Sequence, residues 1–331
     1  MLGKHIKTII SFIIMVGVFA IMVIFIPDKF LTVKNFQSIS SQIPEFGLLA
    51  LAMMLAMMTG GIDLSVVSIT NLTGVIAAIV LTKFVSPQMG EGQIILIIIL
   101  AILAAIAASL VCGLINGFLI AYVGVPPILA TLGTMGLFLG TAIVITEGHG
   151  VTGFPDKFLF IGSGTIGVVP IPLIIFIICT LIVALALNKT SLGLSIQMLG
   201  SNPVAARFAG INNNSVLVKT YLMTGLLAGI SSIIMISRVN SMRPGYGYAY
   251  LLTAVLVIIL GGVNPSGGFG TVSGVVMGII ILQLLQSGFN ILAFSPFFKK
   301  FMWGFMLLLV MVINLITAGY QQRRGKLKTR A

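Results

Sequence analysis

This sequence predicts an all-α fold: a polytopic membrane bundle of about ten transmembrane helices, with an internal repeat and both termini cytoplasmic. Three observations predict it. Of 331 residues, 58% are hydrophobic and only 7% charged, and the mean hydropathy is +1.20, too little polar surface for a water-soluble domain of that size. Ten apolar runs follow one another with short connections, most of them near the roughly 20 residues that cross a bilayer. A glycine-paired polar break, Gly60-Gly61-Ile62-Asp63-Leu64-Ser65, returns in the second half as Gly261-Gly262-Val263-Asn264-Pro265-Ser266. Paired glycine- or proline-interrupted apolar segments in corresponding halves point to a transport pathway built from a repeat.

In chain order, Lys4 and Lys7 precede a run from Thr8 to Ile26. That run is long for a signal-peptide core and lacks a small-residue cleavage site, so 8–27 reads as a retained first span. The next span, 44–59, is short, as is its counterpart 249–262, and both fit either tilted spans or half-helices broken at the glycines. Asp63 is a good N-cap for the following span, 64–85. Within it Asn71 and Thr73 add an amide and a hydroxyl. Spans 93–121 and 126–146 follow, the first carrying Asn116 and Cys112, the second Thr131 and Thr134. Gly113/Gly117, Gly136/Gly140, Gly225/Gly229, Gly270/Gly274 and Gly274/Gly278 have the spacing that lets helices approach closely. Cys112 and Cys179 both lie inside apolar runs and imply neither a disulfide framework nor a metal site.

The external loop 147–168 contains Glu147 and His149, which lack a third partner for a metal. It reads as a solvated loop or as a docking surface for an external protein. Beyond span 169–187, the internal loop 188–215 carries Gly200-Ser201-Asn202-Pro203-Val204-Ala205-Ala206-Arg207-Phe208-Ala209-Gly210-Ile211. Asn202 is its cap, Pro203 its first helical residue, and Gly210 a stop that tolerates the left-handed conformation. Val204 and Phe208 share one face with Arg207 alongside. A helix of two turns is not stable alone, so it packs on its own membrane domain or offers a knob to a partner.

Span 216–237 leads to Tyr246, Tyr248 and Tyr250 beside Arg243, which read as an interfacial aromatic belt or as a sugar-stacking surface. Asn264 and Pro265 after the second glycine pair read as cap and first residue of span 268–292. On that span Gln283, Gln286 and Asn290 lie at i, i+3, i+7 and share a face. Span 298–318 closes the bundle. The whole chain, 1–331, forms one membrane domain, with a basic cytoplasmic tail at 319–331 containing Arg323, Arg324, Lys326, Lys328 and Arg330. With the termini inside, ten Lys/Arg of the 18 are cytoplasmic and five acids (Asp28, Glu45, Glu91, Glu147, Asp156) are external, an orientation that the tail cluster favours. Asp63 is then the only acid outside that external set.

The Gly60–Ser65 motif, the loop motif from Gly200 to Ile211, and Gly261-Gly262 with Gly267-Gly268-Phe269-Gly270-Thr271 resemble the permease subunits of ribose/xylose/galactose-type ABC importers. These belong to the wider branched-chain amino acid/ribose permease superfamily. The resemblance runs over about 35–317, with the three motifs in order. It implies a dimerising permease, either a homodimer or paired with a paralogous second permease subunit, in the bacterial inner membrane. Its partners would be a cytoplasmic ABC ATPase, which holds ATP and Mg, and an extracytoplasmic solute-binding protein. It also implies that Gly200, Asn202, Pro203, Val204, Ala206, Arg207, Phe208 and Gly210 build the coupling helix that docks in the ATPase. This chain departs from the family pattern at Tyr250-Leu251-Leu252-Thr253, where an acidic residue is common, and at Val66-Val67, where a glycine is frequent.

Three readings stand for Asp63: a structural cap, a pathway contact, or a proton carrier. Asn264 at the matching place favours the cap, since Asn caps equally well and carries no proton. Asp63, Ser65, Asn71, Asn116, Asn264, Gln283, Gln286 and Asn290 are the candidates for the translocation pathway, because a sugar path needs uncharged donors and acceptors. The competing reading of the same groups is interhelical hydrogen bonding, worth roughly 0.6 kcal/mol per contact. No Gly-x-x-x-x-Gly-Lys-Ser/Thr loop occurs, so ATP phosphates find no cradle here, and His5 and His149 have no nucleophile partner. The +12 net charge is not a basic domain, so no nucleic-acid partner follows. The sequence therefore reads as a non-enzymatic permease for a small neutral solute, most readily a monosaccharide. Nucleoside and branched-chain amino-acid permeases are the near rivals. An ion-coupled secondary transporter is the rival of another class, opposed by the shortage of buried carboxylates and histidines, and an intramembrane enzyme lacks a catalytic set.

Overall fold

The computed structural model describes residues 2–86 and 88–328. The helices are α1 (Leu2–Phe25), α2 (Pro27–Phe30), α3 (Val33–Met58), α4 (Val66–Lys83), α5 (Glu91–Phe118), α6 (Pro127–Thr146) and α7 (Asp156–Ser163). They continue with α8 (Ile171–Lys189), α9 (Ser191–Ser201), α10 (Pro203–Phe208), α11 (Asn213–Val239), α12 (Ala249–Leu260), α13 (Val272–Ile291) and α14 (Pro296–Lys328). A π-helical turn, Leu119–Val123, extends α5. Two short antiparallel ribbons pair β1 (Val151–Thr152) with β4 (Ser241–Met242), and β2 (Thr165–Ile166) with β3 (Val169–Pro170). Among the described residues seven helices are long and apolar enough to cross a membrane: α3, α4, α5 with its π turn, α6, α8, α11 and α13. The apolar part of α1 and the segment Tyr246–Leu260 are shorter. The protein is a multi-pass helical membrane protein. The basic tail expected at 319–331 ends outside the described residues, and its side chains are not among those described.

The two short expected spans differ from each other. The first belongs to α3, a full 26-residue helix, because the polar stretch Lys34–Gln42 is helical as well. Thr32 caps it by accepting the Asn35 N–H at 3.2 Å. Its counterpart α12 has 12 residues, about 18 Å at 1.5 Å per residue, short of the roughly 30 Å bilayer core. From Ile43 to Met58 every residue of α3 is buried, so this helix is the axis of the bundle. α8, α11, α12 and α13 pack around it, while α5, α6 and the outer face of α8 turn exposed apolar residues such as Leu103, Val144 and Ile182 outward, as a lipid-facing perimeter requires.

Close approach is set by small residues. On Gly113 a Cβ would run into the Tyr221 carbonyl, on Gly117 it would lie 2.9 Å from Val218 Cα, and on Gly225 it would meet the Ser109 carbonyl, so α5 and α11 touch backbone to backbone. α12 and α13 do the same: Gly274 lies on the Gly261 carbonyl, and a Cβ on Gly278 would lie 2.5 Å from the Val257 carbonyl. Gly136 and Gly140 have nothing within 4 Å. The contact that their spacing suggested is not made on this chain.

The second repeat copy also departs from expectation. α12 stops at the glycine pair, but Asn264 and Pro265 do not start a helix. α13 begins at Val272, with Thr271 as its cap accepting the Gly274 N–H at 3.2 Å. Gly267 and Gly268 take positive φ (+89° and +78°), and Gly268 donates its N–H to the Met58 carbonyl at 3.0 Å. That long-range contact holds residues 265–271 in a turn and overrides the local start signal. It also brings the end of α3 and the second break to one end of the bundle. At the opposite end Lys157 pairs with Glu91 at 2.8 Å, and the β1–β4 ribbon ties the loop after α6 to the loop after α11.

Candidate functional site

At the first break polar side chains knot together, with the buried Tyr221 hydroxyl beside them left without a partner. Ser65, not Asp63, sits at the cap position of α4. Asp63 acts from two residues earlier: its Oδ1 accepts the Ser65 N–H at 3.0 Å and the Ser65 hydroxyl at 2.6 Å. Its Oδ2 accepts the Thr224 hydroxyl of α11 at 2.9 Å. Asn116 on α5 donates from Nδ2 to Ser65 Oγ at 2.7 Å and accepts the Thr134 hydroxyl of α6 at 2.7 Å. Thr131, one turn earlier on α6, donates to the Ile62 carbonyl at 3.0 Å. Asp63, Ser65, Asn116, Thr131 and Thr224 are all fully buried. The break between α3 and α4 is therefore tied to α5, α6 and α11 at once. Three expected pathway residues meet here, and they act as ties between helices. The same i→i+2 bond recurs at the second break, where Asn264 Oδ1 accepts the Ser266 N–H at 3.2 Å.

The expected loop helix is present as α10, preceded by the unexpected α9. Asn202 accepts the Val204 and Ala205 N–H groups, both at 3.0 Å. Gly210 ends the turn at φ +81°. Ala206 is 1% exposed and faces the bundle, whereas Phe208 is 90% and Val204 65% exposed, with Arg207 also outward. Val204 and Phe208 are thus the large exposed apolar side chains of α10.

The remaining candidates are dispersed. Asn71 is buried, accepts the Gly247 N–H at a long 3.4 Å, and leaves its Nδ2 without a partner. Ser68 on the same helix and Ser232 on α11 also have buried hydroxyls with no partner, and so do both polar atoms of Gln283. Gln286 is half-buried, and exposed Asn290 accepts from Lys299. All three lie on the one helix α13 at i, i+3, i+7, and along it they grade from core to surface.

Glu45 is not an external-loop residue. It lies within α3, 1% exposed, and forms a two-pronged ion pair with Arg238 of α11 through Nε and NH2. Tyr250 donates its hydroxyl to Glu45 Oε2 at 2.6 Å, and its ring stacks on Phe46. Tyr250 therefore points into the bundle instead of serving only as an interfacial anchor. The sequence signal for this group is one acid and one arginine, each at the edge of an apolar run, which in a membrane calls for a partner.

Residues 35–311 match the family model described as branched-chain amino acid transport system / permease component. The chain is 34% identical to the ribose import permease protein RbsC of Bacillus subtilis over 302 residues, covering 90% of each. It is 33% identical to the L-arabinose transport system permease protein AraH of Escherichia coli over 304 residues, 91% of this chain and 89% of the relative. Against the autoinducer 2 import system permease protein LsrD of Yersinia pestis the identity is 32% over 293 residues, 85% of each. No solved structure matches the chain.

Proposed function

The chain belongs to the branched-chain amino acid transport system / permease component family, and on that premise we propose that it is the membrane subunit of a binding-protein-dependent ABC importer. It carries a small neutral solute, a monosaccharide or a close relative, inward across the bacterial inner membrane. ATP and Mg are bound by a separate cytoplasmic ATPase, and the solute is delivered by an extracytoplasmic binding protein. In this reading α1, α3, α4, α5, α6, α8, α11, α12, α13 and α14 make ten crossings with both termini cytoplasmic. A second permease subunit, identical or paralogous, completes the pathway.

The observation that carries this reading is α10: a capped helix with its inner face packed on the bundle and Phe208 90% exposed. It lies at the end of the bundle where both glycine breaks lie. An exposed phenylalanine on a capped helix this short suits an anchor for a partner's groove. The solute class follows from charge. Glu45 and Arg238 are spent on each other, and Asp63 on three donors. Among the described residues what remains for a solute is neutral: the buried, unpartnered polar atoms are Ser68 Oγ, Asn71 Nδ2, Thr180 Oγ1, Asn213 Oδ1, the Tyr221 hydroxyl, Ser232 Oγ and the Gln283 amide. Each such group costs about 1–3 kcal/mol, a cost that a state opening these helices to hydroxyl groups would relieve. The names of the ribose and arabinose relatives support the same class. A zwitterionic amino acid would need free buried charges, which disfavours that rival.

The test is copurification of the ATPase with the permease. Phe208→Ala should release it, since truncating a buried aromatic anchor commonly costs about 2 kcal/mol or more, while permease level stays normal. Full retention in Phe208→Ala and in Ala206→Asp would mean that α10 serves only its own bundle.

A further inference from the structure

The tip of α9 and both glycine breaks meet backbone to backbone. A Cβ on Gly200, three residues before the start of α10, would run into the Met58 carbonyl at the end of α3 and lie 2.5 Å from the Gly268 amide nitrogen. A Cβ on Gly267 would lie 2.7 Å from the Gly200 carbonyl and 2.8 Å from Gly60 Cα. On Gly268 it would lie 3.0 Å from Ser201 Cα. The Gly268 N–H to Met58 carbonyl bond, 3.0 Å, crosses the same point. Three chain segments far apart in sequence therefore share one contact made mainly of backbone, with the Ser201 hydroxyl as the side-chain group nearest to it.

α9 and α10 are joined so that one cannot move freely of the other. Asn202, the single residue between them, donates its N–H to the Met198 carbonyl of α9 at 3.0 Å and caps α10 with its side chain. Asn213 at the start of α11 also donates to the Pro203 carbonyl at 2.9 Å. From the contact, one path leads through Gly60 and Gly61 into the Asp63 knot and so to α4, α5, α6 and α11. The other leads through residues 269–271 into α13. Side chains absorb a displacement by changing rotamer, but backbone in van der Waals contact has no such slack.

We propose that Gly200, Gly267 and Gly268 are positioning residues for transport: they clasp α9 to both breaks, so that a shift of α10 moves the two halves of the repeat together. This rests on α10 being the ATPase-docking element. The glycines are required because any side chain at the contact would part the segments, and a parted clasp leaves α10 able to dock but unable to move the breaks.

The experiment is hydrogen exchange on the permease assembled with its copurifying ATPase, with and without Mg-ATP. In the natural protein ATP should change exchange at amides 59–66 and 266–270 severalfold, in step with α10. In Gly200→Ala the ATPase should still protect α10, while the ATP response at 59–66 falls at least tenfold. A protected α10 with 59–66 and 266–270 unmoved in the natural complex overturns the clasp alone. A response in Gly200→Ala equal to the natural one overturns it too. An α10 left unprotected by the ATPase overturns the docking reading and the clasp with it. Because the natural complex supplies the first comparison, poor folding of Gly200→Ala leaves the clasp open to refutation.

Discussion

A carboxylate with no solvent exposure inside an apolar bundle is stable only if its lone pairs are occupied, and Asp63 occupies them with the Ser65 N–H, the Ser65 hydroxyl and the Thr224 hydroxyl. An amide can do the same. With Asn at 63, its oxygen keeps the Ser65 donors and its NH2 donates to Thr224 Oγ1, whose own proton turns to the Tyr221 carbonyl at 2.9 Å. Asp63→Asn should therefore keep folding and most transport. Asp63→Leu strands buried donors and should cost about 1–3 kcal/mol, read as a lower midpoint in thermal unfolding in detergent. Loss of transport in a well-folded Asp63→Asn would give the charge itself a mechanistic role. The cap-like duty of Asp63 was legible in the sequence because it is local. Thr224, lying 161 residues away, was not, since nothing local marks which threonine of α11 faces the break. Glu45 was misplaced for the same reason: its partner Arg238 is 193 residues on, and only the pairing makes a buried carboxylate tolerable.

Among the elements, α10 was the most legible, with Asn202, Pro203 and Gly210 writing its start and stop within nine positions. The start of α13 was not legible, because the signal at Asn264 and Pro265 loses to the long-range contact of Gly268 with Met58. The length of α3 was hidden by its polar first third, which hydropathy excludes and helix geometry includes. Glycine spacing sits between these cases. It names helices able to approach, and the partner helix decides whether they do. Gly113→Ala should push α5 from α11 and cost about 1–3 kcal/mol, as overpacking does. Gly136→Ala and Gly140→Ala, with open space around them, should be neutral or gain about 0.5–1 kcal/mol from helix propensity. Thermal midpoints of the three variants check this, and equal losses at all three would contradict the packing described.

At the scale of the molecule, a central helix buried from Ile43 to Met58 ends beside its shorter counterpart, and both endings rest on the loop that carries α10. Such a bundle has α10 at one end, ties through its middle, and an ion pair of Glu45 and Arg238 linking α3 to α11. In the proposed reading its energy source lies on another chain, a reading that the engaged carboxylates Asp63 and Glu45 support. The central claim is that transport is driven from another chain. It is tested most directly by reconstituting the permease in liposomes, alone and with its copurifying ATPase and binding protein, and following radiolabelled ribose and L-arabinose. Concentrative uptake should occur only in the full assembly with Mg-ATP. Concentrative uptake by the permease alone, under an imposed proton or sodium gradient, would contradict the account.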